Sequence, residues 1–280
     1  MEGRGAKLVV RLGAAFTLFF LYLPLAVVLI YAFNESVAQA WPPTGFTTRW
    51  FGVAWNAPGV REGLSNSIKI GLVAAAVAVV LGSLAAFAVH RYRFFGRETI
   101  SFALVLPIAL PGIITAMALR SAMNTTHVTF SLWTIMIGHA TFCVVVVFNN
   151  VIARLRRTSG SIVEASMDLG ADGWQTFRHV TLPSISTALI AGALLAFALS
   201  FDEIIVTNFL SGAELTLPKW IYNTIRLPKN RPAANAVALI VIVLSMIPVY
   251  FAQRLAGGGD TVARPTARTA AAPASGAPMG

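Results

Sequence analysis

EASMDLGADGWQTFRHVTLP, residues 164–183, is a polar island set between two long apolar segments. Ser161 stands three residues before Glu164, the spacing of a capping box, so a short helix is expected to begin there and to carry Ile162, Val163, Ser166 and Leu169. Gly170, free of a Cβ, suits the left-handed turn that stops it. Asp172, three before Gln175, caps a second short helix with Trp174, Phe177 and Val180, before Leu182 and Pro183 restart the chain. The island therefore reads as helix, glycine elbow, helix, lying along a surface.

The chain around it is 56% hydrophobic and 11% charged with a mean hydropathy of +0.73, which excludes an ordinary soluble domain and indicates a membrane protein. Crossing about 30 Å of hydrocarbon takes about 20 helical residues. Six stretches qualify, at 12–33, 66–90, 100–121, 130–152, 185–210 and 234–254. Arg4, Lys7 and Arg11 before the first, and Ala38-Gln39-Ala40 after it, imitate a signal peptide, but the apolar core is too long and an uncleaved anchor is expected. With both termini inside, 13 of the 21 Lys and Arg fall on the cytoplasmic side, although Lys219, Arg226, Lys229 and Arg231 crowd the last external loop. That orientation places the island in the cytoplasm. It also accounts for the net charge of +10 as a topology signal rather than a nucleic-acid footprint, so no nucleic-acid partner is expected.

The second stretch contains GLVAAAVAVVLGSLAAFA, whose Gly82 and Ala86 suit close helix packing. Pro107 and Pro111 should kink or interrupt the third. The expected organisation is a membrane domain over 1–255 and a disordered, dispensable cytoplasmic tail over 256–280, where apolar periodicity ceases. Physical reasoning alone leaves two destinations for the elbow: the lipid headgroup layer, as an amphipathic connector, or a partner protein.

The residues decide between them. Glu164-Ala165-Ser166, three residues, Gly170, nine residues, then Val180-x-Leu182-Pro183 resembles the EAA signature of permease subunits in binding-protein-dependent ABC importers, departing only in Ser166 for Ala and Val180 for Ile. The segments ALSFDEIIVTNFLSG (198–212) and LTLPKWIYNTIR (215–226) are similar to the spermidine/putrescine subgroup, whose relatives also serve aminoalkylphosphonates, thiamine or ferric iron. The resemblance implies an all-α integral membrane protein with six transmembrane helices, both termini cytoplasmic, and a cytoplasmic coupling loop, in the bacterial inner membrane. It implies a coupling role for Glu164, Ala165, Ser166, Leu169, Gly170, Ala171, Phe177, Leu182 and Pro183 against an ATPase subunit, with Gly170 forming the turn and Leu169, Ala171 and Phe177 filling a groove. Further partners implied are a second permease, in a heterodimer, and an external solute-binding protein, with membrane lipid around them. No G-x-x-x-x-G-K-[ST] loop is present, so ATP and Mg are expected on the partner and no cofactor on this chain.

Asp202 and Glu203 stand out because a carboxylate at the bilayer centre costs about 2.5–3.5 kcal/mol on insertion scales. Entering near Ser184, the fifth helix would carry Asp202 about 27 Å upward, toward the external mouth. There an acidic group would attract a cationic solute, unless the pair is taken up by Lys219 or Arg226. Adjacent positions diverge by about 100°, so one is expected to line the path and the other to pack or pair. His139 and Cys143 share a helix face without a third metal ligand, and no metal site is expected. The four histidines are scattered and no nucleophile or paired-carboxylate motif appears, so no catalytic residue is assigned. The alternative to a transport subunit is a membrane enzyme or scaffold that recruits a cytoplasmic partner through the elbow.

Overall fold

The computed structural model describes residues 4–257. Among them the regular elements are helices joined by turns and loops, with one isolated bridge between Asn34 and Phe46. In chain order the helices are α1 (Arg4–Phe33), α2 (Arg49–Asn56), α3 (Val60–Arg91), α4 (Arg97–Ala109), α5 (Gly112–Thr125), α6 (Leu132–Arg157), α7 (Gly160–Asp168), α8 (Gly173–Thr176), α9 (Leu182–Phe201), α10 (Ile205–Leu210), α11 (Leu217–Thr224) and α12 (Arg231–Gly257). Among the described residues, five stretches are long and apolar enough to cross a membrane: Lys7–Phe33, Val60–Arg91, Leu132–Arg157, Gly173–Phe201 and Pro228–Leu255. Ala256 and Gly257, assigned from sequence to the tail, complete α12; the rest of that tail lies outside the described residues.

The third expected stretch, 100–121, is two helices rather than one. Pro111 has no N–H to donate and its ring drives the preceding residue out of the helical region. Leu110 accordingly adopts φ −82° and ψ 145°, α4 ends at Ala109, and Pro111 becomes the N-cap of α5.

The core is built around α6. In its apolar window 67% of residues are buried, against 6% for α1, which lies at the periphery beside α12. One face of α3 meets α6 through Ala74, Ala78, Ala86 and Gly82. A Cβ on Gly82 would stand 2.8 Å from the Val144 carbonyl oxygen, so the two backbones touch there and only hydrogen fits. The opposite face of α3 exposes Leu72, Val80 and Leu84, as a helix bordering lipid should.

The fifth stretch is displaced from its expected position at 185–210. It starts as early as Gly173, because α8 runs into α9 through a π turn at Phe177–Thr181, and it stops at Phe201. Pro183 supplies the physical reason for the π turn. It cannot donate to the carbonyl four residues back, and the helix widens so that Leu182 N–H reaches Phe177 O. At the other end the chain breaks over Asp202–Ile204 before α10, so hydropathy that reads through the two carboxylates overruns the true end.

Candidate functional site

The elbow forms with different caps from those expected. Ser159, not Ser161, is the N-cap of α7, in extended conformation with Oγ accepting from Ser161 N–H at 3.4 Å. Ser161 and Glu164 form no capping box; the Ser159-Gly160-Ser161 run offers two hydroxyls, these bond each other at 2.6 Å, and Glu164 stays exposed. Gly170 has φ +90°, with Gly170 N–H bonded to Met167 O at 2.9 Å and Ala171 N–H to Ser166 O at 3.1 Å, the paired bonds of a Schellman stop. Beyond it the Asp172–Gln175 capping box is made in both directions, at 2.8 and 3.0 Å.

The arms are tied to each other and to the core. Ser166, the residue departing from the EAA pattern, bonds the buried Thr176 hydroxyl across the elbow at 3.1 Å. Phe177 is half-buried, stacks on Trp174 and meets Phe87 of α3 edge-on at 5.5 Å. Leu182 and Pro183 lie exposed at the start of α9, and Arg154 Nε holds Ser184 O at 2.9 Å. The outward apolar surface is therefore Leu169, 90% exposed, with Trp174, Ile162 and Met167, while Ala171 is half-buried and Phe177 faces inward.

At the break, the two carboxylates do different things. Glu203 Oε1 accepts from Ile205 and Val206 N–H at 2.7 and 3.0 Å, so it caps α10. Asp202 lines a cavity of about 840 Å³ along α12, shared with Tyr22, Tyr222, Tyr250, Ser245 and Gln253. Lys219 and Arg226, the alternative partners for the pair, are engaged elsewhere. Lys219 Nζ donates to Ser211 Oγ and Glu214 O at 2.8 and 3.0 Å, and burial lowers its amine from the ordinary value against the opposing charge of Glu214. Arg226 sits over the Tyr222 ring and bonds its hydroxyl.

His139 and Cys143 are also brought to this region. His139 bonds Ser200 and Thr207, Cys143 bonds Ala196 O, and no cluster of three metal-capable side chains occurs among the described residues. Sequence reading missed His139 as a link between helices; a buried histidine with hydroxyl partners on a neighbouring span carries no local motif.

Residues 78–257 match the family described as binding-protein-dependent transport system inner membrane component. The chain is 32% identical over 249 residues to the spermidine/putrescine transport system permease protein PotC of Shigella flexneri, covering 86% of this chain and 93% of that one. It is 35% identical over 232 residues to the putrescine transport system permease protein PotI of Escherichia coli strain K12, covering 80% and 82%. In fold it is similar, at 15% identity and a TM-score of 0.67, to a chain of the bacterial alginate ABC transporter crystallised in complex with an alginate pentasaccharide-bound periplasmic protein, covering 90% and 94%.

Proposed function

The chain belongs to the family of binding-protein-dependent transport system inner membrane components, and from that membership we propose that it is the permease subunit through which an ATP-driven importer carries a polyamine such as putrescine or spermidine inward. A member of this family is a multi-pass inner-membrane transport subunit rather than an enzyme. The observation that carries the polyamine reading is identity of 32 and 35% across at least four-fifths of the chain to two polyamine permeases.

In this reading the broken pair α4–α5 supplies the sixth crossing, both termini are cytoplasmic, and residues 258–280 are dispensable. Partner ATPases bind ATP and Mg. A second, related permease completes the solute path, and an external binding protein delivers the solute. The elbow docks on the ATPase with Leu169 and Trp174 outermost; Gly170 sets the angle, and Glu164, Ala165, Ser166, Ala171, Phe177, Leu182 and Pro183 shape and anchor it. Support comes from the tie to the core: Phe177 meets Phe87 of α3, and the π turn joins α8 to α9 without a break. Asp202 attracts the ammonium groups of the solute, and the tyrosine rings of the same cavity add cation–π contacts.

The test is reconstitution of the complete importer in lipid vesicles. Putrescine- or spermidine-loaded binding protein is expected to stimulate ATP hydrolysis and drive uptake, and Asp202→Asn is expected to lower uptake while stimulated hydrolysis persists. Failure of an ATPase to co-purify would remove the transport reading. Stimulation by an aminoalkylphosphonate but by neither polyamine would remove the polyamine reading alone.

A further inference from the structure

A row of small and polar residues on α6, Thr134, Gly138, His139 and Cys143, runs beneath the break in the fifth span and touches both sides of it. Thr134 Oγ1 lies 2.7 Å from Leu210 O, the end of α10, and 2.7 Å from Ser131 O, the two carbonyls sharing its one hydrogen. Gly138 lets α10 settle onto α6: a Cβ there would stand 2.3 Å from Leu210 Cδ1 and 2.8 Å from Val206 Cγ1. Cys143 Sγ lies 3.3 Å from Ala196 O in α9. Between them His139, 1% exposed, has its two ring nitrogens on opposite sides of the break, Nδ1 at 2.8 Å from Ser200 Oγ of α9 and Nε2 at 3.0 Å from Thr207 Oγ1 of α10.

Counting protons orients the chain of bonds. Thr207 Oγ1 gives its one hydrogen to Glu203 O at 2.8 Å, so toward His139 it accepts, and Nε2 carries the ring proton. Nδ1 is then an acceptor and Ser200 donates to it. The chain of bonds Ser200, His139, Thr207, Glu203 O bridges the backbone segment that contains Asp202, whose neighbour Glu203 also caps α10 with its carboxylate.

We propose that His139 is a positioning residue for transport: by clamping α9 and α10 to α6 across the break, it holds Asp202 toward the cavity. This rests on the reading of Asp202 as a contact for a cationic solute. The geometry makes the break a built feature with a fixed angle, and loosening it should let the transport cycle turn over without a captured cation.

Putrescine uptake and ATP hydrolysis, measured together in vesicles holding the complete importer, test this through the solute moved per ATP. Thr207→Val, close in shape but without the hydroxyl, and His139→Leu are both expected to lower that ratio about fivefold, the scale of one buried hydrogen bond lost. Thr207→Ser is expected to restore it. A wild-type ratio in Thr207→Val, with uptake and hydrolysis reduced in the same proportion, would mean that the contact only holds the fold, and would overturn the proposal. An Asp202→Asn importer indistinguishable from wild type would overturn the solute reading and this proposal together. A normal effect of Asp202→Asn beside an unaffected ratio in both His139→Leu and Thr207→Val would overturn this proposal alone.

Discussion

Gly170 is the residue on which the elbow depends. No heavy atom lies within 4 Å of where its Cβ would be, so space does not require glycine; the backbone does, at φ +90°. A left-handed residue costs about 1–2 kcal/mol for side chains other than glycine, and asparagine tolerates it best. Gly170→Val is therefore expected to leave the protein in the membrane while separating ATP hydrolysis from uptake, and Gly170→Asn to retain most of the coupling. Uptake and hydrolysis assayed on the same vesicles check this, and unimpaired uptake by Gly170→Val would count against the coupling role. The turn was legible in the sequence because the glycine and the Asp172–Gln175 cap are local signals. The start of the same helix was misread by two residues, since Ser159 and Ser161 are equally good caps locally and only the backbone angles distinguish them.

Among elements, the contact of α3 with α6 carries the core, and Gly82 is its closest point. Gly82→Leu should push the helices apart, at about 1–3 kcal/mol for an overpacked site. A lower melting temperature of the detergent-purified importer is expected, whereas Gly13→Leu, on an open face of α1, should leave it unchanged. Equal behaviour of the two variants would refute the close approach. The break between α4 and α5 was readable from the prolines, as was the general run of the apolar helices. The fifth span was not. Its N-terminal end is extended by Gln175, Arg178 and His179, which hydropathy reads as loop, and its C-terminal end is cut where Glu203 takes the Ile205 and Val206 amides.

For the whole molecule, α1 is nearly unburied within its own chain and must find lipid or a partner along most of its length. The elbow faces the cytoplasm if both termini do. In a Cys143→Ser background, Ser161→Cys is expected to react with a membrane-impermeant maleimide in inside-out vesicles only; reaction in right-side-out vesicles would invert the topology. The native thiol is buried, which makes it a simple background to remove.

What the sequence determined by itself is what depends on composition and short spacing: a helical membrane protein, a glycine elbow between capped helices, a proline break between α4 and α5, and a family signature spread over about twenty positions. What only the tertiary structure decided is what depends on residues distant in the chain. It separated Glu203, a cap, from Asp202, a cavity wall, and turned Phe177 inward against Phe87. It also joined His139 to Ser200 and Thr207, more than sixty positions away. Hydropathy and capping act over one or two helical turns, whereas a hydrogen bond between two spans exists only after packing has set their depth and rotation.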